Sequence, residues 1–173
     1  MKTGILFDLD GTLLDTLEDL LEATNYALAA YKPYYTAHCQ IKTKPYEGVL
    51  SALEVLGEKY PIAIVSNKPD AAVKELCSQY FPGLYALGEI AGCPRKPAPD
   101  KVFKAMKDIG VERCVYVGDS EVDVLTAKNS GMPCVCVLWG FRDREDMEAV
   151  GGSIYCERTE DLVSIIEETI HGQ

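Results

Sequence analysis

The 173-residue sequence has few of the residues on which several common kinds of site depend. It contains only two histidines, His38 and His171, and they show no partner pattern that would indicate a histidine nucleophile or metal site. Its seven cysteines include no C-x-x-C pair, which is the spacing typical of structural zinc sites. We interpret the cysteines as small buried thiols in a reducing compartment and expect no disulfide framework.

Positive charge is also scarce in this sequence. Lysine and arginine number 17 against 27 aspartates and glutamates, which gives a formal net charge of -10. This balance argues against nucleic acid or an anionic membrane as the main partner, because both need a basic surface. A small anionic substrate is still compatible, since a bound metal ion and a few local cations can reverse the field inside a cleft.

Long apolar runs are missing as well. No uninterrupted apolar segment approaches the roughly 20 residues that a membrane-spanning helix needs. The apolar stretch near the first residue is short and runs directly into aspartates, unlike a secretory signal peptide. We therefore expect a cytoplasmic protein.

The hydrophobic pattern alternates between short apolar runs and segments with helical spacing. Alternation of this kind predicts an α/β fold, a three-layer doubly wound parallel sheet of the Rossmann type with helices on both faces. The nearly continuous apolar character of the runs suits strands that are covered on both sides. We predict strands at 4–7, 62–65, 84–90, 114–117, 135–138 and 154–156, and helices at 16–30, 45–58, 69–80, 99–109, 121–130, 144–149 and 160–170. Thr16 can act as the N-cap of the first helix, with Asp19 three residues later in a capping-box arrangement. Residues 31–44 show no clear period, so we expect a loop or a short, poorly defined helix there.

Three of the predicted strands end in polar residues. Asp8 and Asp10 follow the first strand, Ser66 and Asn67 follow the second, and Asp119 follows the strand at 114–117. In open α/β sheets the ligand crevice lies at the carboxyl ends of the strands. We therefore expect these side chains, which are far apart in sequence, to meet at one edge of the sheet.

The residue types in this crevice suggest phosphate chemistry. Several carboxylates close together repel each other unless a hard cation lies between them, and Mg²⁺ suits a site made only of oxygen ligands. A lysine such as Lys96 can neutralise part of a phosphate's charge, and a hydroxyl and backbone N–H groups near Ser66 can bind its oxygens.

Four segments carry short polar motifs. In order along the chain, residues 8–12 read D-L-D-G-T, residues 65–68 read V-S-N-K, residues 95–100 read R-K-P-A-P-D, and residues 117–123 read V-G-D-S-E-V-D. These segments resemble the four motifs of the haloacid dehalogenase-like phosphatases, which are D-x-D-G-T, a strand ending in Ser or Thr, a lysine ahead of a helix, and G-D-x-x-x-D. The sequences at 45–49 and 138–142 are similar to the phosphoglycolate phosphatase branch of that family.

The resemblance implies a role for each acidic residue. Asp8 would be the nucleophile that attacks phosphorus and forms an aspartyl-phosphate. Asp10 would protonate the leaving oxygen and then accept a proton from the hydrolytic water. Mg²⁺ would be bound by the Asp8 and Asp119 carboxylates, by the backbone carbonyl of Asp10, and by Asp123 directly or through a water.

The same resemblance implies a phosphate-binding set and a substrate class. Ser66, Asn67 and Lys96 would hold the phosphoryl oxygens, and Lys96 would also offset repulsion among the carboxylates. The substrate would be a small phosphorylated metabolite, hydrolysed with Mg²⁺ as the cofactor.

The segment between the first two motifs is short for this family. Residues 1–15 and 45–173 are assigned to the catalytic core, which leaves residues 16–44, 29 residues, for a truncated helical cap. A cap normally closes over the substrate, so its shortening predicts a more open cleft. We also expect a homodimer through the cap helix, because its leucines at 17, 21 and 28 would otherwise have few neighbours to bury them.

Other interpretations remain open at this point. Each polar residue taken singly is compatible with a structural role, such as capping a helix or forming a turn. A phosphatase-like core with a lost cap is also compatible with a scaffold or binding protein that turns over little substrate. A third alternative is a phosphoryl-transferring mutase, although that reaction needs a cap to exclude water.

Overall fold

The computed structural model describes residues 2–20 and 31–172. Its centre is a sheet of six parallel strands, as the sequence predicted. The strands of this sheet are β1 (Thr3–Phe7), β4 (Ile62–Pro69), β5 (Tyr85–Glu89), β6 (Arg113–Gly118), β7 (Cys134–Val137) and β8 (Ile154–Cys156), and their spatial order is β5-β4-β1-β6-β7-β8. The helices are α1 (Tyr31–His38), α2 (Val49–Gly57), α3 (Asp70–Tyr80), α4 (Asp100–Ile109), α5 (Glu121–Asn129), α6 (Arg144–Ala149) and α7 (Leu162–His171).

Strand β1 lies in the middle of the sheet and contributes side chains to the apolar clusters on both faces. Its Ile5 pairs with Ile62 of β4 on one side and with Val115 of β6 on the other. Because alternate residues of a strand face opposite sides, Ile5 belongs to one apolar cluster and Leu6 to a second. The first cluster is covered by α2, α3 and α7, and the second by α4 and α5, which gives the three predicted layers.

The glycine and serine signals at helix ends explain why most boundaries were predictable. Helix α4 ends at Gly110, whose φ of 69° is the left-handed conformation typical of a residue that stops a helix. Helix α5 begins after Ser120, which forms a capping box with Asp123. All seven cysteines are free, and five of them are buried, as expected for structural thiols.

The segment around residues 31–44 is more regular than its sequence suggested. We expected a loop or a poorly defined helix there, and the structure has helix α1 followed by strand β3 (Lys44–Pro45). Strand β3 pairs antiparallel with β2 (Leu14–Asp15), so the two ends of the proposed cap segment lie side by side. The division of the chain into core and cap remains a proposal.

Residues 17–20 are helical, and the rest of the helix predicted at 16–30 lies outside the described residues. The expected capping box between Thr16 and Asp19 is wrong. The Thr16 hydroxyl is buried with no hydrogen-bond partner among the described residues. Asp19 instead accepts hydrogen bonds from the Lys42 and Thr43 backbone and from the Thr43 hydroxyl, at 2.8–3.2 Å, and so ties the segment's start to its end.

Within residues 2–20 and 31–172, no helix combines the length and the apolar character needed to cross a membrane.

Candidate active site

The carboxyl ends of β1, β4 and β6 open into a cavity of about 460 Å³. Asp8 follows β1 directly, Asp119 follows β6, and Ser66 lies near the end of β4. Every residue that the sequence analysis assigned to the site lines this cavity: Asp8, Asp10, Ser66, Asn67, Lys96, Asp119 and Asp123. The topology thus brings together residues separated by more than one hundred positions.

Three buried carboxylates form the acidic centre of the cavity. Asp8, Asp119 and Asp123 each offer one oxygen atom, and these oxygens lie within 4.8 Å of one another. The Lys96 ammonium contacts Asp8 Oδ1 and lies 2.8 Å from Asp123 Oδ1. The second oxygen of Asp123 accepts from the Ser120 backbone N–H and hydroxyl, so this residue both caps α5 and faces the lysine.

The electrostatics of this centre favour a divalent cation. Burial raises the pKa of Asp8 well above its usual value, and repulsion from Asp123 adds to the effect while Lys96 opposes it. Burial and Asp123 likewise raise the pKa of Asp119 to about 7. Burial on its own would lower the pKa of Lys96, but Asp123 and Asp8 outweigh it and hold the ammonium charged. One lysine does not neutralise three carboxylates, so the donor set fits a hard ion such as Mg²⁺.

Asp119 is fixed in place by groups from two loops. Its Oδ1 accepts from the Thr12 hydroxyl at 3.3 Å, and its Oδ2 accepts from the Phe141 backbone N–H at 2.8 Å. The Trp139 indole donates to the Thr12 carbonyl at 2.9 Å and joins the two loops. Gly11 has a φ of 76°, and a Cβ there would overlap the Asp119 carboxylate, with Cγ only 2.6 Å away. The glycine of the first motif therefore makes room for the acid of the fourth.

Asp10 points away from the three clustered carboxylates. Its Oδ1 pairs with the Lys68 ammonium, and its Oδ2 accepts from the Ser66 hydroxyl at 3.4 Å. The sequence predicted that strand β4 would end at residue 65, and this is wrong. The strand continues to Pro69, with a register shift after residue 65. The part assigned to Asp10 in metal binding falls on its backbone carbonyl and stays a prediction.

The Asn67 side chain supports Lys96 rather than facing a phosphate. Its Oδ1 accepts from the Lys96 N–H at 2.8 Å, and its Nδ2 donates to the Lys96 carbonyl at 3.1 Å. The buried Lys101 also donates to Asn67 Oδ1, at 2.8 Å, and to the Ser66 carbonyl at 2.7 Å. Phosphate binding by Asn67 would therefore fall to its backbone N–H, and remains a prediction.

Sequence reasoning missed two buried lysines, Lys68 and Lys101. Lys68 directly follows the S-N pair of the second motif, so its position was visible but its direction was not. Lys101 lies in the first turn of α4, where a lysine is usually solvated, and no sequence signal distinguishes it. Burial lowers the pKa of Lys101 to about 8.

The outer part of the cavity is formed by exposed side chains. Arg142, at the mouth, pairs with Glu121 at 3.2 Å, and its side chain is 52% exposed. Leu17 also lines the cavity and is 49% exposed. Of the three leucines on which the homodimer prediction depends, residues 21 and 28 lie outside the described residues, so that prediction remains a proposal.

Comparison with known proteins places this arrangement in a family. The haloacid dehalogenase-like hydrolase family matches the chain at residues 5–41 and 30–137. A phosphoglycolate phosphatase of Xylella fastidiosa is 31% identical over 198 aligned positions, which cover 82% of this chain and 82% of that protein. A pyrophosphatase of Halalkalibacterium halodurans is 26% identical and covers 94% of this chain and 95% of its own.

A solved structure extends the comparison to the fold. A protein of Lactobacillus delbrueckii, proposed to be a phosphoglycolate phosphatase, superposes with a TM-score of 0.88 and 34% identity, covering 96% of this chain and 99% of that one. The 198 positions aligned with the Xylella protein exceed the 173 residues of this chain, so that relative carries residues that this chain lacks. The family match consists of two parts, and they overlap at residues 30–41, within the predicted short cap. The chain therefore belongs to the haloacid dehalogenase-like hydrolases and is an enzyme of their phosphoglycolate phosphatase-like branch.

Proposed function

We propose that this protein is a magnesium-dependent phosphatase that hydrolyses small phosphate monoesters through an aspartyl-phosphate on Asp8. The observation that carries the proposal is the position of Asp8. It is buried at the end of the central strand, its carboxylate lies within 4.8 Å of two further acids, and it contacts the Lys96 ammonium. A carboxylate in this position is suited to attack a phosphoryl group held against the lysine.

Two displacements at phosphorus account for the overall hydrolysis. In the first, a carboxylate oxygen of Asp8 forms a bond to phosphorus while the ester P–O bond breaks, and Asp10 gives its proton to the departing oxygen. In the second, Asp10 takes a proton from a water molecule whose oxygen attacks the same phosphorus. The bond between Asp8 and phosphorus then breaks, inorganic phosphate leaves, and both aspartates return to their starting states.

The acidic centre supplies the metal site of the proposed enzyme. The Asp8, Asp119 and Asp123 carboxylates and the Asp10 carbonyl would hold Mg²⁺. When bound, the ion neutralises carboxylate repulsion and the charge on the phosphoryl oxygens. Lys96 stays charged between Asp8 and Asp123 and is placed to neutralise a further phosphoryl oxygen.

The relatives suggest which substrates to test first. Phosphoglycolate is the leading candidate because the Xylella relative is a phosphoglycolate phosphatase, and pyrophosphate, an anhydride rather than an ester, is a second because the Halalkalibacterium relative is a pyrophosphatase. The open cavity does not itself select between them. A panel of phosphorylated metabolites, assayed for released phosphate with Mg²⁺ present, identifies the preferred substrate.

The decisive test is Asp8→Asn. We expect kcat/KM for phosphate release to fall by at least about 1,000-fold, because the amide is a poor nucleophile and no aspartyl-phosphate forms. Asp108→Asn, which alters an exposed acid paired with Lys104 on α4, is the matched control and should keep wild-type activity. Rapid acid quench followed by mass spectrometry should show one added phosphoryl group on the wild-type chain and none on Asp8→Asn.

Other outcomes would contradict the proposal in distinct ways. Full activity of Asp8→Asn, or full activity of the wild type in excess EDTA, would refute the mechanism. Magnesium binding with no hydrolysis of any ester on the panel would favour a binding protein. Conversion of a sugar phosphate to its isomer without release of phosphate would favour a mutase.

A further inference from the structure

Lys68 is a buried cation in the cavity that the mechanism above does not use. Its side chain is only 5% exposed, and its ammonium pairs with Asp10 Oδ1. Asp10 is also the residue that must exchange protons with the leaving group and with water. The following inference concerns how that residue is held, and it rests on the proposed function.

The backbone of β4 explains why Ser66 and Lys68 meet the same carboxylate. Residues two apart on a strand face the same side, so both side chains turn toward the cavity while Asn67 turns toward Lys96. The Ser66 hydroxyl donates to Asp10 Oδ2 and accepts from the Lys68 N–H at 3.1 Å. The two carboxylate oxygens of Asp10 therefore have different partners, and the plane of the carboxylate is fixed.

A tyrosine from the short cap segment also contacts Lys68. The Lys68 ammonium lies 4.8 Å from the centre of the Tyr35 ring, within the range of a cation–π contact. Tyr35 belongs to α1 and is 1% exposed. Helix α1 thus contacts the lysine that pairs with Asp10.

The geometry points to Lys68 as a positioning residue that aims the Asp10 carboxyl at the leaving oxygen, with Tyr35 holding the lysine in place. A structural role alone is a weaker account, because a buried ion pair adds little net stability over apolar residues of the same volume. A phosphate-binding role is also weaker, because the ammonium that contacts the nucleophile Asp8 is that of Lys96. Lys68 contacts the proton donor instead.

The leaving group distinguishes these roles. General acid catalysis contributes about 100-fold to 10,000-fold when the departing alkoxide is strongly basic, and much less when the leaving group is stable as an anion. Loss of a positioning residue for the acid should therefore penalise an alkyl phosphate more than a nitrophenyl phosphate. Loss of a phosphate-binding cation, or a general loss of structure, should penalise both esters equally.

The test is Lys68→Met, assayed with glycerol phosphate and with 2,4-dinitrophenyl phosphate. We expect kcat/KM to fall about 100-fold for the first ester and less than about 10-fold for the second. The ratio of the two values does not depend on how much of the variant is folded, and kcat/KM reports the step in which the leaving group departs. Tyr35→Leu should shift the ratio in the same direction by about 3-fold to 10-fold. Lys104→Met, at an exposed lysine paired with Asp108, should leave the ratio unchanged.

The results separate failure of this inference from failure of the proposed function. A wild-type protein that is inactive on these two esters and on every other member of the substrate panel would refute the phosphatase proposal itself. An active wild type with an unchanged ratio in Lys68→Met and Tyr35→Leu would refute only the positioning role. If Lys68→Met yields no folded protein, the ratio in Tyr35→Leu decides the question alone.

Discussion

The acidic centre should make the protein lose stability as the pH rises when no metal is present, and Asp119 allows the size of the loss to be worked out. Burial and the charge of Asp123 raise the pKa of Asp119 from 3.8 to about 7 in the folded chain. Between pH 3.8 and about 7, Asp119 is protonated in the folded state and ionised in the unfolded state. The contribution of Asp119 to the free energy of unfolding therefore falls as the pH rises from 3.8 to about 7 and is constant above it.

The expected loss follows from the size of the pKa shift. Each pKa unit corresponds to about 1.4 kcal/mol, so a shift from 3.8 to about 7 costs about 4 kcal/mol by pH 8. Asp119→Asn removes this cost because the amide does not ionise. The substitution gives up at most one of the hydrogen bonds from Phe141 and Thr12, worth about 1 kcal/mol. At about pH 8 in EDTA, the variant should be more stable than the wild type by about 3 kcal/mol.

Urea unfolding followed by circular dichroism in EDTA, between about pH 5 and pH 8, measures the effect directly. Added Mg²⁺ should flatten the pH dependence of the wild type, because the ion replaces the protons and binds only the folded state. The variant should respond less to the metal. Glu54→Gln, at an exposed position of α2, is the control and should follow the wild type. The reasoning fails if wild-type stability in EDTA is constant over this range, or if Asp119→Asn loses as much stability as the wild type does.

Two further predictions concern packing around the site. Gly88→Ala should lower the free energy of unfolding by about 1–3 kcal/mol, because its Cβ would lie 2.5 Å from the Asp70 Cα. Gly57→Ala, whose Cβ would have its nearest neighbour 3.8 Å away, should change the free energy of unfolding little. Equal effects of the two substitutions in urea titrations would contradict this prediction. Lys101→Met should lower the free energy of unfolding by about 2 kcal/mol, because it removes the donor to the buried Ser66 carbonyl and one of two donors to Asn67 Oδ1. Lys104→Met, on the exposed face of α4, should stay within about 0.5 kcal/mol of the wild type, and a neutral Lys101→Met would refute the prediction.

The sheet could be predicted because its strands are buried on both faces. A run such as residues 62–65 has no polar position, so its apolar character alone identifies a covered parallel strand. The helix ends were predictable for a local reason too, since Gly110 adopts a conformation that few other residues accept. Polar residues just after such strands then had to converge, because parallel strands place their carboxyl ends at one edge.

The directions of the side chains in the site were not predictable in the same way. The sequence predicted that β4 would end before Ser66, but the strand continues to Pro69 with a shifted register. In this irregular stretch Ser66 and Lys68 contact Asp10, whereas Asn67 contacts the backbone of Lys96. Register at the end of a strand depends on contacts with distant segments, here the loop that carries Lys96, and these are not encoded in the local pattern.

The segment at 31–38 shows the same limit for a helix. Its three tyrosines and a proline give no clear apolar period, yet α1 forms, because Tyr35 and Cys39 are buried in the main apolar cluster. Tertiary contacts therefore override a weak local preference. The Tyr35 ring also lies over Lys68, so the tyrosine that is buried in the apolar cluster also contacts a lysine that lines the cavity.

The proposed short cap would change where substrate selection occurs. The Xylella relative carries residues that this chain lacks, while in this chain Tyr35 contacts Lys68 and Asp19 accepts a hydrogen bond from the backbone at residue 43. Side chains at the cavity mouth are therefore candidates for contacts to the leaving group. Among the cavity-lining residues that the structure describes, Arg142 is the only exposed cation, and its partner Glu121 is a single carboxylate. A substrate with a second anionic group can replace that carboxylate at little cost, because an exposed ion pair is worth only about 0–1 kcal/mol.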